Sequence, residues 1–298
     1  MQQTITNQYE HKLKTAFLKV FHAEHGKLHN NHLGPKIYTE SQKIMCAILY
    51  KRSSRSYVRF VDELHESLWS KWLGLKEIPG KSSVQRWLIN TPKSLLEKFS
   101  RRLLPKKPEL LAIDATGIDS WRRSRHYELR IGEAPVPNAK LDVIVDVDSK
   151  MVFDHVLRIK PRHDVIAAEQ MLRRARFTDA KLLGDKGYDS EKLHELARSQ
   201  GVTLFAPVRK SARKRPRGRY RRQCAKGSSE YPRRNVVESF MHSFKAVHCS
   251  ALRSRKHWAK KKEIAIAILL HNLEKKIQKI IDYILKSIWD APLYSLDI

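Results

Sequence analysis

With 298 residues, 41% of them hydrophobic, the chain is long enough for one large globular domain or two modest ones. Its 59 lysine and arginine residues against 31 acidic ones give a net charge of +28, which favours nucleic acid as a partner over a ribosome-like or merely soluble basic surface. The three widely spaced cysteines exclude a zinc ribbon and a disulfide framework, and no apolar run approaches the roughly 18 residues of a membrane span, so we expect a cytoplasmic protein.

Residues 1–104 are predicted to form a helical N-terminal DNA-binding domain. Near its start, four histidines (His22, His25, His29 and His32) have spacings that suit either a metal site or a polar helix or loop. The second interpretation is favoured, because no cysteine or carboxylate framework lies nearby. From Thr39 to about Leu104, apolar residues recur at three- and four-residue steps, a pattern that predicts helices.

A helix-turn-helix is predicted within this region. The turn contains Ile78-Pro79-Gly80, and Ser82 or Ser83 is expected to cap the helix that follows. That helix has an apolar side and a polar side, and the polar side carries Lys81, Gln85 and Arg86. We expect these three side chains to contact DNA, with packing of a plain helical hairpin as the alternative.

Pro105 and Pro108 indicate a linker, after which the apolar period changes to that of strands. Three antiparallel strands are predicted in succession, followed by alternating helices and strands, with Asp164 as the cap of the first of these helices. The resulting order, β-β-β-α-β-α-β-α, predicts an α/β domain with a ribonuclease H-like mixed sheet over residues 105–275. The predicted strands are Leu110–Thr116, Leu141–Val147, Met151–Ile159, Lys181–Asp185 and Val202–Pro207.

A basic loop is predicted at residues 209–226, where ten of eighteen residues are lysine or arginine and none is acidic. Mutual repulsion is expected to keep this loop mobile until it meets phosphates, although a solvated surface loop is the alternative. Beyond it, residues 264–285 carry an apolar helical stripe typical of core or of self-association, and residues 276–298 are expected to form a helical tail. The expected DNA contacts in the loop are Arg213, Lys214, Arg215, Arg217, Arg219, Arg221 and Arg222.

Three acidic residues are candidates for chemistry. Asp114 interrupts an apolar strand, Asp185 follows the end of another, and Glu238 lies on a helix between Arg234 and Lys245. If they converge, each pair about 4 Å apart repels by roughly 4 kcal/mol at an effective dielectric near 20, so a divalent cation is the expected partner. Oxygen ligands without cysteine favour Mg²⁺ or Mn²⁺.

Two further residues are secondary candidates. Asp119 competes with Asp114 for the same role, although it follows Gly117 and is compatible with a turn. His242 lies one helical turn after Glu238 and is placed either to touch substrate or to serve a structural role.

These acids, together with Tyr231, Arg234, Glu238 and Lys245 in the spacing Y-x2-R-x3-E-x6-K, make the chain resemble a DDE-type transposase of the insertion-sequence class. The resemblance implies that Asp114, Asp185 and Glu238 hold two Mg²⁺ ions. It also implies that Tyr231, Arg234 and Lys245 contact the DNA at the element ends.

The function implied by this resemblance is a DNA transposase that binds terminal inverted repeats, cleaves the phosphodiester at the ends and transfers the 3′-hydroxyl to target DNA. A homodimer is expected, because two ends are handled together, and the expected location is the nucleoid of a prokaryotic cell. Two alternatives stay open: a ribonuclease H-like nuclease that cuts without joining, and a non-catalytic DNA-binding protein derived from a transposase.

Overall fold

The computed structural model describes residues 2–29, 36–120, 139–159, 163–174, 178–209 and 216–289. An N-terminal group of helices precedes a mixed β-sheet, and a long C-terminal helix contacts both. Within the described ranges, no helix combines the length and the apolar character needed to cross a bilayer. The N-terminal helices are α1 (Gln2–Glu24), α2 (Glu40–Ser53), α3 (Tyr57–Glu66), α4 (Trp69–Trp72), α5 (Lys81–Asn90) and α6 (Lys93–Leu103).

The first helix contributes to the N-terminal core, which the histidine pattern did not indicate. Leu13, Phe17, Val20 and Phe21 are buried along α1, at spacings that place them on one face. His22 and His25 lie at its C-terminal end, where both rings contact Phe21. Among the described residues no group of three or more metal-binding side chains exists, and His32 lies outside them.

Helix α5 begins two or three residues earlier than predicted. Gly80 is its N-cap, and the carbonyl of Gly80 accepts the amide of Val84, so Ser82 and Ser83 lie within the first turn and are not caps. Val84 and Leu88 are buried on one side of the helix. The other side leaves three polar residues exposed, Lys81, Gln85 and Arg86.

The sheet confirms the predicted ribonuclease H-like order. The sheet contains β1 (Leu110–Ser120), β2 (Ala139–Asp146), β3 (Val152–Arg158), β4 (Ala180–Leu183) and β5 (Val202–Phe205). Strand β2 pairs with β1 and with β3, in both cases antiparallel. Strand β4 pairs with β1 and with β5, in both cases parallel. The spatial order is therefore β3-β2-β1-β4-β5. The first strand is four residues longer than predicted, and its end pairs with the short β6 (Ala251–Leu252). The helices that cover the sheet are α7 (Asp164–Arg173), α8 (Glu191–Ser199), α9 (Arg219–Cys224), α10 (Asn235–Val247) and α11 (His257–Trp289).

Alternate residues of β1 face two different cores, because successive side chains of a strand point to opposite sides of the sheet. Leu110 and Ala112 pack with residues of α10 and α11, so we name this side the α10 face. Leu111 and Ile113 pack with residues of α7 and α8 on the other side, which we name the α7 face. Any residue of β1 at an even-numbered position is therefore directed toward the α10 face.

The C-terminal helix joins the two parts of the molecule. Its buried residues enter the N-terminal core through Leu269 and Leu273 and the sheet core through Ile264 and Ile268. A buried ion pair between Lys51 of α2 and Glu263, with Nζ and Oε1 2.9 Å apart, strengthens this connection. Helix α11 continues without interruption past residue 275, so the expected tail begins inside a helix, and residues 290–298 lie outside the described part.

Candidate active site

Asp114 and Asp185 lie near each other where β4 ends beside the middle of β1. In the parallel pair β1/β4, Ala112 is opposite Leu183, the last residue of β4, and Asp114 and Asp185 each follow two residues later. Neighbouring strands lie about 4.8 Å apart, so the two carboxylates are close enough to repel each other. Both share the parity of Ala112 and Leu183, which pack in the core of the α10 face.

The turn that follows β4 fixes the Asp185 side chain. Asp185 lies just beyond the strand, and its Oδ1 accepts the amide of Gly187 at 2.6 Å within the 3₁₀ turn Lys186–Tyr188. A Cβ atom at position 187 would lie 2.7 Å from the same oxygen, which is closer than packing allows. The glycine therefore permits the close approach of the carboxylate to the backbone.

Asp114 is held by one backbone donor and one cation. Its Oδ1 accepts the amide of Ala115 at 2.8 Å, and Nη1 of Arg234 lies 3.2 Å from its Oδ2. Burial raises the pKa of this carboxyl above its ordinary value, and the negative charge of Asp185 raises it further, against the lowering effects of the Ala115 amide and Arg234. The pair of aspartates is therefore a site of incompletely compensated negative charge.

The Y-x2-R-x3-E-x6-K residues lie on a 3₁₀ turn and the helix that it opens into. Tyr231 and Arg234 belong to the turn Tyr231–Arg234, and α10 follows directly. The guanidinium of Arg234 contacts the carboxylate of Glu238 as well as Asp114, so one cation links two of the three acids. Tyr231 packs on Phe205 with the ring centroids 5.4 Å apart and lies 6.0 Å below the guanidinium carbon.

All three acids lie on the α10 face, yet they do not converge on one point. Among the described residues, no group of three acids, histidines or cysteines is placed to hold a metal ion, and at this site Arg234 contacts both Asp114 and Glu238. Glu238 is also 55% exposed, against 23% for Asp114. The expected gathering of three carboxylates around one cation is thus replaced by a pair of aspartates and a glutamate tethered to arginine.

The aspartate pair nevertheless fits a hard divalent cation. Asp114 and Asp185 offer carboxylate oxygens as ligands, the charge of Asp185 raises the pKa of Asp114, and Mg²⁺ in proteins is commonly bound by one or two carboxylates together with substrate phosphates. Glu238 would join these ligands after its contact with Arg234 is released.

The secondary candidates do not join this group. Asp119 lies within β1 and not in a turn, and its odd number of residues from Asp114 directs it to the α7 face. His242 and Lys245 lie one and two turns beyond Glu238 on α10, where His242 is exposed and Lys245 is half-buried.

The second half of the predicted basic loop is ordered. Residues 219–224 form the helix α9, whose first amides at Tyr220 and Arg221 donate to the carboxylate of Glu191 at 3.0 and 3.1 Å. A carboxylate at this position neutralises the positive end of the helix, which explains why repulsion does not unfold it. Arg217, Arg219 and Arg222 are exposed, whereas Arg221 forms an ion pair. Arg213, Lys214 and Arg215 lie outside the described residues.

The sequence analysis missed a second charged cluster, on the α7 face. Arg158 donates to both oxygens of the fully buried Asp142, at 2.5 and 2.7 Å, and to Asp164 at 2.9 Å. Asp164, predicted as a helix cap, is instead the first residue of α7, and it also binds Lys140 at 2.5 Å. The strand alternation marked Asp142 as polar, but only the pairing of β2 with β3 shows its partner.

A family model described as a transposase DDE domain matches residues 105–273, more than half of the chain. No curated protein matches. Two solved structures are similar: a piggyBac transposase synaptic complex with hairpin DNA (12% identity, 95% of this chain, 80% of that chain, TM-score 0.40) and the catalytic core domain of BIV integrase (13%, 55%, 81%, 0.28). By its family model, the chain belongs to the family of transposases with a DDE domain.

Proposed function

We propose that the protein is a DNA transposase that cleaves the phosphodiester at the ends of its element and joins the liberated 3′-hydroxyl to target DNA. The observation that carries the proposal is the proximity of Asp114 and Asp185 where β4 ends beside β1, together with the contacts of Arg234, in the turn that opens into α10, with Asp114 and Glu238. The family match over residues 105–273 supports the same function.

In this proposal Asp114, Asp185 and Glu238 are the catalytic carboxylates. Two Mg²⁺ or Mn²⁺ ions, when bound there, supply charge stabilisation at the phosphodiester and lower the pKa of a bound water or hydroxyl. The chain's own part is to hold the ligands: Gly187 fixes Asp185, Ala115 fixes Asp114, and Arg234 keeps Glu238 near the pair until substrate and cations arrive.

Arg234 is expected to change partners during this step. With its two acids it forms a locally neutralised group, and burial of the guanidinium to 13% exposure makes an unpaired charge there costly. A phosphate of the element end would offer the guanidinium a new partner, and Glu238 would then be free to serve as a ligand. Tyr231 and Lys245 flank this position on the same turn and helix.

DNA is proposed to reach this site along two cationic surfaces. One is the exposed side of α5, with Lys81, Gln85 and Arg86, as the reader of the terminal repeats. The other lies on the basic segment, residues 209–226, which was predicted as a basic loop. Its exposed residues Arg217, Arg219 and Arg222 would contact the DNA backbone without reading sequence. A homodimer that holds two ends together is part of the proposal.

The test uses DNA that carries the element's terminal inverted repeats, in uncut and pre-cut forms, with Mg²⁺ or Mn²⁺ and a target plasmid. We expect nicking at the repeat boundary of the uncut DNA and joining of the pre-cut 3′ end to the plasmid. Cutting without joining would indicate a nuclease and contradict the transfer step. Binding to the repeats with no cation-dependent nicking would indicate a non-catalytic DNA-binding protein.

A further inference from the structure

Arg221 differs from its neighbours in the basic segment, because its charge is used inside the protein. Its Nε and Nη2 donate to the two oxygens of Asp189, each at 2.7 Å, and the Asp189 side chain has no exposed area. Bidentate pairs of this kind fix both partners in orientation. The adjacent Arg222 is exposed, and its Nε donates to the carbonyl of Gly218 at 2.9 Å.

Asp189 belongs to the same turn as Asp185. The amide of Asp189 donates to the carbonyl of Lys186, and the amide of Tyr188 donates to the carbonyl of Asp185, so residues 185–189 form one hydrogen-bonded unit. A displacement of Asp189 is therefore transmitted to the Gly187 amide, which holds Oδ1 of Asp185.

Arg209, the first residue of the basic segment, also forms hydrogen bonds with this turn. Its backbone amide donates to Oδ2 of Asp189 at 2.9 Å, and its guanidinium donates to the carbonyls of Lys186 and Gly187 at 2.6 and 2.7 Å. Arg209 and Arg221 therefore hold the turn from two points of the basic segment, one at each end of the residues 210–215 that lie outside the described part.

We propose that Arg221 and Arg209 are positioning residues that hold the Asp185 carboxylate in its place beside Asp114, and that Arg221 does not contact DNA. This inference rests on the proposed function of Asp185 as a catalytic carboxylate. It divides the basic segment into arginines that order the site and arginines that face DNA.

The test compares Arg221→Ala with the matched control Arg222→Ala, since each removes one arginine from the same turn of α9. In Arg221→Ala we expect Mn²⁺, titrated without DNA and followed by electron paramagnetic resonance, to bind about 10- to 100-fold more weakly, as for other groups that support metal ligands. Hydrogen exchange of the peptide that spans residues 184–189 should become at least about tenfold faster, because the turn loses its anchor. The salt dependence of DNA binding by Arg221→Ala should match that of the wild type.

Arg222→Ala should give the opposite pattern. Its Mn²⁺ affinity and its exchange rates should equal those of the wild type, while the slope of log affinity for duplex DNA against log salt should fall by about 0.9. If Arg221→Ala lowers this slope and leaves Mn²⁺ affinity and exchange unchanged, the inference is overturned.

Two more variants keep the test informative if Arg221→Ala does not fold. Arg221→Lys keeps the charge but not the two-point geometry, so it should recover only part of the Mn²⁺ affinity. Arg209→Ala removes an exposed side chain and should raise the exchange rate of the same peptide in a folded protein; unchanged exchange would contradict its role. If the wild type binds no Mn²⁺ and cleaves no DNA, the proposed function fails, and the exchange measurements still decide whether these arginines hold the turn.

Discussion

The two faces of the sheet each carry a cluster of charged residues, and the clusters differ in balance. On the α7 face, Asp142 and Asp164 are matched by Arg158 and Lys140, and the central carboxylate is fully buried. On the α10 face lie three carboxylates, and Arg234 is the one cation within the described residues that forms an ion pair with any of them, namely with Asp114 and Glu238.

We call the α7-face cluster balanced, because its acids are matched by cations of the chain, and the α10-face cluster receptive, because it keeps an excess of negative charge. Burial raises the pKa of Asp142 to about 6, but Arg158 opposes the shift through two hydrogen bonds, so the α7 cluster is satisfied within the chain. The α10 cluster retains excess negative charge at a partly exposed edge of the sheet. Bound cations would stabilise this excess negative charge. A phosphoryl-transfer site requires such cation binding.

The largest expected effect comes from neutralising the receptive cluster. Asp114→Asn or Asp185→Asn should reduce strand cleavage by about a thousandfold or more, because several kcal/mol of transition-state stabilisation are lost with the ligand. Binding to end DNA, measured by fluorescence anisotropy, should change little. The control is Asp148→Asn, an exposed aspartate paired only with Arg233; equal cleavage by all three variants would contradict the assignment.

The balanced cluster should respond in stability and not in cleavage. Arg158→Met leaves the buried Asp142 without its main partner, which is expected to lower the free energy of unfolding by about 3 kcal/mol at pH 7. Cleavage per folded molecule should be retained. The matched control is Arg233→Met, which breaks an exposed ion pair and should cost at most about 1 kcal/mol in urea unfolding; equal losses in both variants would remove the distinction between the clusters.

The free energy of unfolding should decrease at acid pH because of a buried histidine in the core beneath the receptive cluster. His271 is buried against Phe240 and Phe244 of α10, and burial lowers its pKa to about 4. Because the unfolded chain takes up a proton near pH 6.5 and the folded one does so only near pH 4, stability falls as pH decreases through this window, by about 2 kcal/mol at pH 5 for this residue.

Replacing the histidine tests this expectation. In His271→Gln, the decrease in unfolding free energy between pH 7 and pH 5, measured with urea, should be about 2 kcal/mol smaller than in the wild type. The exposed His65 provides the control, since His65→Gln should preserve the full decrease. An unchanged decrease in His271→Gln would show that its proton affinity is the same in both states.

The smallest effect concerns Arg217 and Arg219, for which the described part of the chain shows no ion pair with an acid. Arg217→Ala and Arg219→Ala should each lower the log–log salt slope of duplex binding by about 0.9, because each removes one phosphate contact. Arg174 is also half-exposed but pairs with Asp154 at 2.6 Å, so Arg174→Ala should leave the slope unchanged. Equal slopes in all three variants would refute the contrast between paired and unpaired arginines.

Much of the fold follows from local patterns. The order of the strands along the chain was predictable because the apolar run at 110–116, the alternation at 141–147 and the turn at Asp148-Ser149-Lys150 are local signals that tertiary packing does not override. The helix α9 was not predictable, because it depends on Glu191, which lies 28 residues before its first residue. Its own composition indicated only a basic loop.

The sequence by itself determined the kind of site: one aspartate within an apolar strand, a second near the end of another, and a glutamate in the motif Y-x2-R-x3-E-x6-K, since motif spacing and strand period are properties of the chain alone. Only the tertiary structure decided how the charges are shared. The contacts of Arg234 with Asp114, Arg158 with Asp142 and Arg221 with Asp189 join residues that are at least 16 positions apart in sequence. Such partners are chosen by strand register and helix packing, which bring one particular cation within hydrogen-bonding distance of one particular carboxylate.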